Sequence, residues 1–118
     1  MNKRRSGNLG EDLAIAHLRN QGYRILERNY ARPTGEIDVI AREGEVLAFV
    51  EVKARTTVRY GTPAEAVNRA KRVRILRTAM IYLSEHNLDD VPMRFDIVEL
   101  LPDEVHLIRG AFDGSDLY

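Results

Sequence analysis

The spacing of apolar residues divides the chain into seven segments. From Asn8 to about Gln21 they recur at helical intervals, with Leu9, Leu13 and Ala16 expected on the buried face. Asn8 followed three residues on by Glu11 reads as a capping box, and Gly22 as the C-terminal stop. Tyr23 to Tyr30 alternates in the manner of a strand, and Arg32-Pro33-Thr34-Gly35 is a turn, because proline removes a donor and glycine permits positive φ. Glu36 to Arg42 and Glu45 to Ala54 are β-rich runs flanking a two-residue hairpin loop, Glu43-Gly44. Thr62-Pro63-Ala64-Glu65 is a second capping box that opens a helix to about Glu85, whose expected apolar row is Val67, Ala70, Val73, Leu76, Met80 and Leu83. Met93 to Leu101 and Glu104 to Arg109 read as strands around Pro102-Asp103, and residues 111–118 as an acidic tail. The order α-β-β-β-α-β-β predicts an α/β fold, a mixed sheet of about five strands with helices packed against it.

The hairpin is the strongest local signal. A Glu43-Gly44 loop sets Arg42 opposite Glu45, Ile40 opposite Leu47, Asp38 opposite Phe49 and Glu36 opposite Glu51. Asp38 and Glu51 are then diagonal neighbours on one face, with β-carbons roughly 7–8 Å apart or less, and the period of two returns Lys53 to the same side. Ile37, Val39, Ala48, Val50 and Val52 fall on the other, wholly apolar face.

Composition narrows the setting. With 118 residues, 44% hydrophobic and 31% charged, the chain is expected to form one domain, residues 1–118, with a basic segment 1–7 ahead of the first helix. No apolar run approaches the roughly 20 residues of a membrane span. Met1 to Arg5 is basic, but Ser6-Gly7-Asn8 follows where the apolar stretch of a signal peptide should stand, so a cytoplasmic protein with no membrane partner is expected. The absence of cysteine excludes disulfide frameworks and thiolate zinc sites. Net charge is zero, yet residues 1–84 hold 16 Lys/Arg against 9 Asp/Glu and residues 85–118 hold 2 against 9, so the two parts carry +7 and −7. A basic stretch of that kind can present a positive face to phosphates, because affinity follows the local field.

Two carboxylates and an ammonium on one sheet face carry the chemical argument. Like charges beside Phe49 are costly unless something compensates, and a divalent cation would do so. Oxygen donors without His or Cys suit Mg²⁺ or Mn²⁺, and Mg²⁺ commonly binds one or two carboxylates together with a substrate phosphate. Lys53 is then placed to orient water or to neutralise developing charge.

Gly35-Glu36-Ile37-Asp38, followed across a hairpin by Glu51-Val52-Lys53-Ala54-Arg55, resembles the catalytic core of the PD-(D/E)XK, restriction-endonuclease-like nucleases, and within them the YraN-type bacterial family. The likeness runs from Gly10-Glu11 through Lys71 to Arg94-Phe95-Asp96, and archaeal Holliday-junction resolvases are more distantly similar. The resemblance implies a three-layer α/β/α fold and a metal held by Asp38, Glu51 and the backbone carbonyl of Val52. It also implies Lys53 as the catalytic lysine, Glu11 joining from the first helix and Lys71 from the second. Ile37 stands where proline would precede the aspartate, as in many members.

Each residue also has a plainer explanation. Glu-Val-Lys alone describes any solvated strand; Asp38 in register is what makes it chemical. Glu11 is accounted for by the capping box, and Lys71 by the exposed basic face of a helix. Arg55 shares the strand face of Glu51 and Lys53 and, with Lys71, is a candidate for phosphate contact. Asp96 reads as a structural partner of an arginine, Tyr60 as a loop aromatic, and the three histidines as without a role. The expected function is therefore a metal-dependent endonuclease acting on DNA, branched or single-stranded, with a symmetric homodimer required of a resolvase. The alternative is a non-catalytic nucleic-acid-binding or adaptor domain on the same fold.

Overall fold

The computed structural model describes residues 3–55 and 67–117; the Thr62–Glu65 capping box and Tyr60 lie outside them. Helix α1 spans Lys3–Asn20, strands β1, β2 and β3 span Arg24–Arg32, Gly35–Glu43 and Val46–Ala54, and helix α2 spans Arg69–Glu85. Strands β4, Met93–Leu100, and β5, Val105–Phe112, precede a short 3₁₀ turn at Gly114–Leu117. The sheet order is β1-β2-β3-β4-β5, antiparallel except for the parallel β3–β4 pair, which α2 joins as the crossover. The expected α/β architecture and mixed five-stranded sheet are present.

The two helices cover opposite faces. Ala14, Ile15 and Leu18 of α1 pack on Val39, Ala41, Ala48, Val50 and Val98. On the other side Ile75, Leu76, Ala79 and Tyr82 of α2 pack on Ile40, Leu47, Phe49, Phe95 and Ile97. Phe49 and Phe95 stack with centroids 5.6 Å apart, and Phe95 and Phe112 at 5.1 Å. Both sheet faces are therefore core, where the hairpin pattern predicts one apolar face and one mixed face. Ile37 joins the α2 side with Tyr30 while Val39 joins the α1 side, so strict alternation breaks across Asp38.

The helix faces differ from expectation. Leu9 and Leu13 are 65% and 60% exposed, because the residues one position on, Ala14, Ile15 and Leu18, form the row that meets the sheet. The helix begins at Lys3, so Asn8 lies within it instead of at its N-terminus, and the basic segment is helical from residue 3. Its end is as predicted: Tyr23 N–H donates to Leu18 O at 2.9 Å and Gly22 N–H to Arg19 O at 3.0 Å, with Gly22 at φ +94°, a Schellman stop.

Helix α2 is shorter than the expected helix from Thr62. Asn68 is extended (φ −68°, ψ 167°) and its side chain accepts from Lys71 N–H at 2.9 Å, an N-cap that stops the helix from extending further back. Met80 is exposed and Ala70 lies outside the core, whereas Ile75, Thr78, Ala79 and Tyr82 are buried. The acidic tail begins later than residue 111, because β5 continues to Phe112.

The hairpin loop is Gly44-Glu45, one residue beyond the expected pair. Gly44 has φ +58° and Glu45 does not share a positive φ, the glycine-first pattern of a II′-type turn. Glu43 therefore faces Val46, Ile40 faces Phe49 and Val39 faces Val50. The shift adds two to the sum of paired residue numbers, so the paired side chains from Val39 to Val50 keep their expected faces, while Ile37, beyond the break at Asp38, moves to the α2 side. One step beyond Val39–Val50, Asp38 stands opposite Glu51 instead of diagonal to it.

Candidate metal and phosphate site

The site lies where the β2–β3 ladder gives way. There Val52 N–H donates to Asp38 Oδ2 at 2.8 Å, and Asp38 N–H donates to Glu51 Oε2 at 3.3 Å. Each carboxylate thus takes a backbone donor from the opposite strand, which locks both side chains against the sheet. Gly35 makes this approach feasible. Its φ is +150°, and a β-carbon there would sit 3.2 Å from Arg74 Cβ and 3.4 Å from Thr78 Oγ1 of α2. Only glycine lets the start of β2 run this close to the helix.

Burial and charge set the electrostatics. Glu51 is only 2% exposed. Loss of hydration first, and then the nearby Asp38 carboxylate, raise its pKa to about 7 against the lowering effect of the Lys71 ammonium and of the Asp38 N–H. Asp38 is likewise pushed up by burial, against the Val52 N–H and the charges of Lys71 and Lys53. Lys71, in the first turn of α2, reaches over Glu51 with Nζ 3.2 Å from Oε1 and is itself 37% exposed, so the approach from solvent to Glu51 passes this ammonium. Lys53 is half-buried one pleat beyond Glu51.

Glu11 enters from α1. Its side chain is 17% exposed, Oε1 has no hydrogen-bond partner, and Arg28 Nη2 lies 3.9 Å away. Burial, and then the charge of Asp38, raise its pKa. The fold thus brings Glu11, Asp38, Glu51, Lys53 and Lys71 to one end of the sheet from four elements, α1, β2, β3 and α2. Of Val52 it is the N–H that is engaged with Asp38.

The donor set fits a hard divalent cation. It consists of carboxylate oxygens under mutual repulsion, together with a buried Glu11 oxygen that lacks a hydrogen bond. No three His, Cys, Asp or Glu side chains close into a cage among the described residues, so Asp38 and Glu51 would be the protein's principal ligands. Mg²⁺, which keeps several waters, needs no more than that.

Asp96 belongs elsewhere. It is fully buried and accepts from Tyr23 Oη at 2.6 Å, Arg94 Nε at 2.8 Å and Gly110 N–H at 2.9 Å. Arg94 and Arg109 both continue to Glu43, so this is a saturated structural network at the opposite end of β4. An apolar cleft of about 490 Å³ between α2 and β4–β5, lined by Leu76, Met80, Met93 and Phe112, includes none of the site residues. Glu99, missed in the sequence, is a second buried carboxylate on the α2 face. Its signal was there: it is the one charge in the alternating row Phe95, Ile97, Glu99.

No helix among the described residues is long and apolar enough to cross a membrane. A protein of Moorella thermoacetica is 45% identical, covering 95% of this chain and 98% of the relative. One of Lachnoclostridium phytofermentans is 48% identical, covering 97% and 98%. A solved Holliday junction resolvase from Archaeoglobus fulgidus superposes with a TM-score of 0.49 at 15% identity, over 86% of this chain and 75% of that one. Residues 10–100 match the family described as Uncharacterised protein family UPF0102, and the chain belongs to that family.

Proposed function

We propose that this protein is a metal-dependent endonuclease that hydrolyses phosphodiester bonds in DNA, branched or single-stranded. The observation that carries the reading is the Asp38–Glu51 pair: a buried and a half-buried carboxylate placed face to face, held by backbone donors, and answered by two lysines. A merely structural role would favour apolar residues here, since burying like charges costs several kcal/mol.

Asp38 and Glu51 would hold Mg²⁺ or Mn²⁺, with the Val52 carbonyl as a further donor. When bound, such an ion neutralises phosphate charge and lowers the pKa of a water. Lys53 orients the attacking water or stabilises charge developing on the phosphate. Lys71 balances Glu51 while no cation is present and faces the incoming phosphate. Glu11 accepts a proton or a water hydrogen beside Asp38.

The test is cleavage of branched, flapped and single-stranded DNA with Mg²⁺ or Mn²⁺ by the wild-type protein, Asp38→Ala and Lys53→Ala. Nicking by the wild type alone is expected. Equal cleavage by all three would show a contaminant and overturn the reading, and salt-sensitive binding without metal uptake or cleavage would favour an adaptor domain instead.

A further inference from the structure

The sheet carries the site sideways. Lys53 of β3 pairs in parallel with Glu99 of β4, and Glu99 pairs with His106 of β5. Cross-strand partners share a face, so the three form a row under the same layer as Glu51. Glu99 is 2% exposed and continues a strand face whose other members, Phe95 and Ile97, are core. An apolar residue there would extend the core without desolvating a charge. Glu99 instead meets Arg55, whose Nη1 lies 2.8 Å from Oε2, a contact of charge on charge outside aligned hydrogen-bond geometry. His106 Nδ1 is 3.7 Å from Oε1.

Arg55 is fixed at both ends. Its backbone N–H donates to Leu100 O at 2.8 Å, and its side chain, 14% exposed, is held at Glu99. It follows Lys53 by two residues, about 7 Å along the strand. A guanidinium offers five donors in a planar fork matched to phosphate, and pairing at Glu99 sets the plane of that fork.

We propose that Glu99 is a positioning residue: it holds the Arg55 guanidinium as a grip on the backbone phosphate neighbouring the one addressed by Asp38 and Glu51. The inference rests on the reading of the site as a DNA-cleaving one. It makes a prediction of unusual sign. Removing a negative charge beside a polyanion should tighten binding by Coulomb attraction alone. If Glu99 acts through Arg55, its removal weakens binding.

The experiment is fluorescence anisotropy of labelled single-stranded and branched DNA without divalent metal, across a salt series, for the wild type, Glu99→Gln, Arg55→Ala and the double variant. Glu99→Gln should weaken binding about tenfold and lower the salt slope by about one phosphate contact. Arg55→Ala should match it, and the double variant should be no weaker than Arg55→Ala. Unchanged or tighter binding by Glu99→Gln, or additive losses in the double variant, overturns the proposal. Arg55→Lys supplies a second reading that leaves Glu99 intact: it keeps the charge but not the fork, and binding equal to wild type would also overturn the proposal. Wild type that neither binds DNA nor cuts it would remove the functional reading itself, whereas wild type that cuts while Glu99→Gln binds normally would remove only this inference.

Discussion

Glu51→Gln is expected to stabilise the metal-free protein. The glutamate is 2% exposed and its pKa rises from an ordinary 4.5 to about 7, so the folded state holds a proton that the unfolded state releases between these values. Stability therefore falls as pH rises from about 4.5 through about 7. At about 1.4 kcal/mol per pKa unit, ionised Glu51 costs about 3 kcal/mol near pH 7.5. Glutamine avoids this cost, and the variant should match wild type near pH 4.5 and exceed it by up to about 3 kcal/mol at pH 7.5. A divalent cation acts in the opposite sense by favouring the ionised form. Added Mg²⁺ or Mn²⁺ should raise the wild-type unfolding free energy and leave that of the variant almost unmoved. Urea unfolding at both pH values, with and without metal, measures all four quantities. A variant no more stable than wild type at pH 7.5 would refute the claim that Glu51 is electrostatically strained, and an equal response of both proteins to metal would refute its role as a ligand.

Other perturbations test the frame around the site. Asp96→Ala leaves Tyr23 Oη, Arg94 and Gly110 N–H without their shared acceptor, and should cost about 3–5 kcal/mol in urea unfolding; a loss below about 1 kcal/mol would contradict the network's structural role. Gly35→Ala forces a β-carbon to 3.2 Å from Arg74 Cβ at φ +150°, and should destabilise by about 1–3 kcal/mol. It should also lower metal affinity, read by calorimetry, because β2 must move away from α2 and take Asp38 with it.

What the sequence determined by itself was periodicity. A shift of the hairpin loop by one residue changes both strands together and leaves side-chain parity intact, so Asp38, Glu51 and Lys53 could be placed on one face even though Glu43-Gly44 was the wrong loop. The stop at Gly22 and the turns at Pro33 and Pro102 were equally local, since proline and glycine act on their own φ. Helix faces were not local. Leu9 and Leu13 lie at helical spacing as truly as Ala14 and Leu18 do, and only the position of the sheet decides which row is buried. Tertiary structure also decided every contact across the β3–α2–β4 crossover. The Lys71 ammonium on Glu51 and the Arg55–Glu99 pair join residues 20 and 44 positions apart, and no period along one strand or helix encodes a distance between two of them.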